Sequence, residues 1–287
     1  MRASALEFRF RVLIHLAIIV LGFWAPWSEP LHLSRISLLE WLALEISRLG
    51  LVSFAAATPI VILLATLIAA LGVWLRVWGT AYLDPNVVQG ASMDAGGIMT
   101  SGPYRYVRNP LYLGTIAMVA AMSFAMPVSG AIFAVILVTL FDIRLILGEE
   151  KFLGGKLGEP YQAYLRAVPR LIPRLRATLP ASSHSAHWLH SILAELNPIG
   201  VFLVTAILWW RYDSNLVGYA IFICFCISLA VRGLITRPIP TALALACFGI
   251  LFETHKLAWY QAIIVSFGVW LVLRAFLTST RKIISEE

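Results

Sequence analysis

The chain is dominated by long apolar runs in which charge is nearly absent. From Leu51 to Trp78 there is no acidic residue and only one base, Arg76. A run of about 20 such residues matches the roughly 30 Å hydrocarbon core of a bilayer. Backbone polar groups in that core must be satisfied inside the segment, so such runs fold as helices. Over all 287 residues, 60% are apolar and 13% charged, about half the 25% charge of an ordinary soluble domain. That composition excludes a disordered chain, a solvated repeat protein and a soluble enzyme built around one core. The reading is an all-α, polytopic membrane helix bundle.

The run Leu13–Trp27 follows Arg2, Arg9 and Arg11, with no small-residue cleavage site after it, and reads as a retained span. Residues 29–50 mix Glu29, Arg35, Glu40, Glu45 and Arg48 with Leu and Trp, the pattern of an interfacial helix. The second span covers about 51–78, with a kink expected at Thr58-Pro59. Residues 83–110 are a polar loop rich in Gly, Pro, Asn and Asp. In the apolar run 111–147, Pro127, Ser129 and Gly130 mark the turn of a tight helical hairpin. A second polar stretch, 148–198, precedes four more apolar runs near 199–211, 216–235, 239–252 and 257–278. About eight spans are therefore expected.

The net charge of +7 orients the chain and does not signal nucleic acid. In this layout eighteen of the 22 basic residues fall on one side. Only Arg35, Arg48, Arg211 and Lys256 fall on the other. The positive-inside rule then puts both termini and both large polar loops in the cytoplasm.

Those two loops flank the hairpin, so they are expected to lie close together and form the site. The first ends Gly102-Pro103-Tyr104-Arg105-Tyr106-Val107-Arg108-Asn109-Pro110-Leu111-Tyr112-Leu113-Gly114. The second carries Glu149-Glu150, then Gly158-Glu159-Pro160-Tyr161, Tyr164, Pro169-Arg170 and Pro173. Arg105 and Arg108 offer planar donor forks for a carboxylate. The tyrosines supply aromatic faces with hydroxyl tips. Pro110 suits the first position of a helix, where backbone donors hold anions. Glu149 and Glu150 can take an ammonium. Adjacent helical residues point about 100° apart, so one of the two faces a ligand, and Glu150, nearer the closing loop, is the expected one. The inventory fits a zwitterionic, partly cationic, partly aromatic ligand at the membrane surface.

These two blocks resemble the signature of the isoprenylcysteine carboxyl methyltransferase and phospholipid methyltransferase superfamily, over about residues 55–175. The resemblance implies an integral-membrane methyltransferase that uses S-adenosylmethionine, without a metal, on a hydrophobic or lipid-linked acceptor entering from the lipid side. It divides the chain into an N-terminal span with its interfacial segment (1–50), a methyltransferase core (51–180) and a C-terminal membrane extension (181–287). By motif match the cofactor set is Gly102, Tyr104, Arg105, Arg108, Asn109, Pro110, Tyr112, Leu113, Glu149, Glu150, Tyr161 and Tyr164. Catalytic roles are expected of Arg108, Asn109 and Tyr112. Many members of the superfamily have His where this chain has Asn109. Asn keeps a hydrogen bond but is no base near neutral pH, which favours a positioning role there.

His184, His187 and His190 repeat every third residue, but no carboxylate or Cys completes a metal set. Cys224, Cys226 and Cys247 lie in apolar runs and read as buried small hydrophobes. Arg76, Asp142 and Arg144 sit near span ends, either as structural ion pairs or as contacts to a ligand. A membrane reductase of the sterol-reductase type would need a dinucleotide motif, which is missing from the chain. A transporter would need repeat symmetry or polar mid-span residues.

Overall fold

The computed structural model describes residues 2–50, 52–83, 98–177, 179–182 and 185–211, together with scattered residues between 223 and 250. The chain divides into two compact units, Met1–Ile221 and Phe222–Glu287. The described residues of the second unit are helical. The expected run 257–278 lies outside the described residues, as does most of 216–235 and of 239–252.

The first unit is helical, and no strand occurs among its described residues. Its helices are α1 (Ala5–Arg9), α2 (Arg11–Trp24), α3 (Leu38–Arg48), α4 (Phe54–Tyr82), α5 (Pro110–Ser123), α6 (Val128–Leu157), α7 (Glu159–Ala167), α8 (Trp188–Ala194) and α9 (Leu196–Trp210). A short 3₁₀ turn, Gly102–Arg105, precedes α5. Among the described residues two helices, α4 and α6, are long and apolar enough to cross a membrane. A third crossing exists if α8 and α9, bent by 72° at Glu195, count as one. The runs expected as the first span and the first hairpin arm form α2 and α5, 14 residues each. At 1.5 Å per residue each reaches about 21 Å, short of a straight crossing.

Local sequence accounts for where these helices start and stop. Ser4 with Glu7, and Ser37 with Glu40, form capping boxes at the starts of α1 and α3. Pro110 occupies the first turn of α5, and Pro127 caps α6 and sets the hairpin turn. Pro59 lies inside α4 without ending it, and the Thr58 hydroxyl donates to the Phe54 carbonyl just before it. Helix α6 runs ten residues past Leu147 to Leu157, because nothing in Gly148–Leu157 breaks a helix until Gly158, at φ +63°, turns the chain into α7. The acidic pair therefore sits on a helix and not in a loop.

The amphipathic α3 docks on the hairpin turn. Its first two backbone N–H groups, which a helix leaves without partners, donate to the carbonyls of Met126 (2.8 Å) and Phe124 (2.9 Å). Leu39 and Ala43 of α3 then pack with Ala57, Val61, Ile62 and Ala65 of α4 and with Phe124. A second cluster joins α2 to α6 through Ile18, Val119, Met126, Ala131, Ala134 and Val138.

Two glycine crossings set the helix spacing. At the α4–α5 crossing, a Cβ on Gly72 would lie 2.8 Å from the Met118 sulfur and 3.1 Å from the Gly114 carbonyl oxygen. At the α2–α6 crossing, a Cβ on Gly130 would overlap the Gly22 carbonyl. Small residues are what allow membrane helices to approach so closely. Gly130→Ala is therefore expected to destabilise the protein by about 1–3 kcal/mol, the range for overpacking. Gly155→Ala, on α6 with open space around its Cβ position, should be neutral or slightly stabilising. Thermal unfolding of the two variants in detergent compares them.

Candidate functional site

The two motif blocks meet through backbone as well as side chains. Arg108 N–H donates to the Pro169 carbonyl (2.9 Å), and Arg174 N–H to the Tyr106 carbonyl (3.0 Å). Around this zipper, Asn109 Nδ2 donates to the Arg170 carbonyl (3.1 Å). Tyr164 Oη donates to the Tyr104 carbonyl (2.9 Å), and Arg105 Nε to the Leu179 carbonyl (2.9 Å). Ser101 Oγ lies 2.8 Å from the Ser182 carbonyl. Gly102 is required where it stands: its φ is +55°, and a Cβ there would strike the Tyr82 ring.

Glu149 and Glu150 diverge, as adjacent residues on a helix must. Glu150 is buried and accepts from Arg170 through Nη2 (2.7 Å) and Nε (3.1 Å). Arg108 Nη1 lies 3.4 Å from Oε1, the oxygen that also accepts from Arg170 Nε. One carboxylate thus joins α6 to both loops. Glu149 points to α5 and accepts from Tyr112 Oη at 2.9 Å.

Burial leaves the tyrosines neutral. It pushes the Tyr161 phenol up to about 12, with the Glu150 charge adding to the effect. Tyr164 is raised by burial and by Tyr161 beside it, and Tyr104 by complete burial. All three therefore keep their hydroxyl protons well above neutral pH, and Tyr164 uses its proton on the Tyr104 carbonyl. Tyr161 and Tyr164 stack loosely, ring centroids 5.9 Å apart, and close a small cluster with Val168. Two buried polar atoms at the site have no protein partner, Tyr104 Oη and Arg108 Nε.

The structure thus gathers Tyr104, Arg108, Asn109, Glu150, Tyr161 and Tyr164 at the loop junction, with Tyr112 and Glu149 on the adjoining helix faces. Pro110 starts α5 and is buried against α4 near Gly79. Leu113 lies in the first turn of α5, its N–H bonded to the Asn109 carbonyl. Arg105 is directed to the Leu179 carbonyl. Arg170 holds Glu150, and sequence reasoning left it out of the site although it belongs to the second block.

Arg76, Asp142 and Arg144 each pair within the protein. Arg144 meets Glu7 at 2.7 Å. Asp142 Oδ1 lies 2.8 Å from His15 Nε2, and His15 Nδ1 lies 2.7 Å from the Arg11 carbonyl. Arg76 Nε donates to Glu195 at 2.6 Å, with Arg76 Nη1 on Thr115 and Thr80 Oγ1 also on Glu195. Glu195 is buried at the bend between α8 and α9. Neither Glu195 nor His15 could be singled out in one dimension, since their partners lie 119 and 127 residues away. Of the histidine series, His184 lies outside the described residues. No metal-holding cluster of His, Cys, Asp and Glu occurs among the described residues.

Residues 60–159 match the sequence profile of the phospholipid methyltransferase family. That family is of the integral-membrane methyltransferase type related to the isoprenylcysteine carboxyl methyltransferases, and the matched stretch runs from within α4 through the end of α6. No curated protein and no solved structure matches the chain. Tyr161, Tyr164, Arg170, His15 and Glu195 fall outside the matched residues and are placed by the fold alone.

The Arg76–Glu195 pair gives a direct test of the fold around the site. Removing one member of a buried ion pair strands the other charge, at about 3–5 kcal/mol. Glu195→Ala is expected to lower unfolding stability by about that amount. The double substitution Arg76→Met, Glu195→Leu should recover most of it. Denaturant titration of the three proteins in detergent measures the difference.

Proposed function

We propose that the protein transfers a methyl group from S-adenosylmethionine to a hydrophobic or lipid-linked acceptor at the cytoplasmic face of the membrane. The observation that carries this reading is the meeting of the two loops around the acidic pair of a segment that matches a membrane methyltransferase family. The residues present suit the cofactor. Tyr104 Oη and Arg108 Nε are buried donors without protein partners, a fit for acceptor groups brought in from outside. A carboxylate and several aromatic faces serve a ligand that is part cation, part zwitterion.

The two acids divide the work. Glu150 already faces two guanidinium groups, so a further cation gains little there. Glu149, which accepts from a neutral phenol, is the better partner for the α-ammonium. When bound, the cofactor supplies an already activated sulfonium methyl. The protein's part is then to orient the acceptor for in-line attack and to exclude water. Tyr161 and Tyr164 close the site from α7, Asn109 fixes the loop junction through the Arg170 carbonyl, and Glu150 keeps both loops in register. The acceptor is a carboxylate, amine, thiol or hydroxyl carried by an apolar molecule.

Isothermal titration of detergent-purified protein with S-adenosylmethionine is expected to show saturable binding. Glu149→Gln should weaken it by about ten- to hundredfold, the loss of one charge-assisted hydrogen bond. Glu150→Gln should chiefly lower thermal stability. Absence of binding by the folded wild-type protein would overturn the reading.

Orientation has its own test. A cysteine replacing Lys156, at the exposed end of α6, is expected to react with a membrane-impermeant thiol reagent only from the cytoplasmic side. Labelling from outside intact cells would overturn the proposed face.

A further inference from the structure

The segment 171–177, which the Arg174 N–H ties into the zipper, has an unusual surface for a polar loop. Leu175 is fully exposed and Ile172 is 83% exposed. Arg174 and Arg176 stand between and beside them, also exposed. Arg174 spends one nitrogen on the Ala167 carbonyl (3.0 Å), while Arg170 is committed to Glu150. The result is a rim of two bare aliphatic tips alternating with two cations.

Its height along the membrane normal follows from α4. Phe54 to Trp78 is 25 residues, and the rises between them add up to about 36 Å of helix, slightly more than the roughly 30 Å hydrocarbon core. Trp78 therefore reaches the headgroup layer. An aromatic ladder covers that end of α4: Trp188 stacks on Trp74 (6.4 Å between centroids), Trp74, one turn earlier, lies 5.7 Å from Trp78, and Trp78 lies 6.0 Å from Tyr106. Tryptophan and tyrosine gather at that depth. Tyr106 in turn accepts from the Arg174 N–H through its carbonyl, which holds the rim level with the ladder.

We infer that the 171–177 rim is an interfacial anchor, with Ile172 and Leu175 inserted among acyl chains and Arg174 and Arg176 bound to anionic phospholipid headgroups. Apolar tips flanked by cations suit an anionic lipid surface, where each nearby basic residue favours binding by about fivefold. The inference needs only that α4 crosses the bilayer. It does not depend on the methyl-transfer reading.

The test places the photoreactive residue p-benzoyl-phenylalanine at position 175 of the otherwise unchanged full chain. The protein is reconstituted in vesicles of equal parts phosphatidylcholine and phosphatidylglycerol, irradiated, and its adducts are weighed by mass spectrometry. The expected products are phospholipid adducts, with phosphatidylglycerol over-represented about two- to fivefold. Arg174→Gln with Arg176→Gln should return that ratio to the bulk composition. Adducts to another segment of the chain or to a second copy would overturn the proposal, as would a yield of lipid adducts no higher than that of the Ala163 reference. Phosphatidylglycerol enrichment that survives the double substitution would overturn the role given to the two arginines. A photoreactive residue at Ala163, on the exposed face of α7, is the reference for a site in water.

Discussion

The site is held by one carboxylate. Glu150 faces Arg170 of the second loop and Arg108 of the first, and it rides on the helix between them. Alone, such a cluster has a net positive charge and a sizeable desolvation cost. It is supported by the backbone zipper on either side, which fixes both arginines before any ligand arrives. Pre-organisation of this kind removes from the binding step the entropy of ordering two loops. It also explains why the neighbouring acid, turned about 100° away, is the one left to a neutral phenol.

Part of this was readable from residues in order. The hairpin turn at Pro127, the start of α5 at Pro110 and the capped amphipathic helix after Ser37 all follow from local rules: proline geometry, capping chemistry and apolar spacing. The two blocks announced themselves because several rare residue types recur close together. What escaped was set by distance or by competition. Helix α6 continues through Gly148, because one glycine costs only about 1 kcal/mol in a helix and tertiary packing outweighs that. The lengths of α2 and α5 fall short of the apolar runs because Ala25 and Phe124 end them early. Glu195 gives no local sign of its role. An acid in Ala194-Glu195-Leu196 reads as a surface residue until the fold brings Arg76 to it.

The first unit also shows how a mostly apolar chain keeps its few charges. Arg76 with Glu195, Arg144 with Glu7, and Glu150 with its arginines each join segments far apart in sequence. Each pair fixes register where apolar helix faces would slide without large loss, since hydrophobic contacts are not directional. The glycine crossings fix depth of approach, and the ion pairs fix rotation and height.

The contact between His15 and Asp142 ties α2 to α6 away from their glycine crossing. His15 Nδ1 lies 2.7 Å from the Arg11 carbonyl, one turn earlier in its own helix, and Nε2 lies 2.8 Å from Asp142 Oδ1. The ring therefore links a backbone carbonyl at the start of α2 to a carboxylate 127 residues away. Such a polar contact is directional where apolar packing is not. It sets the rotation of α2 about its own axis as well as its distance from α6.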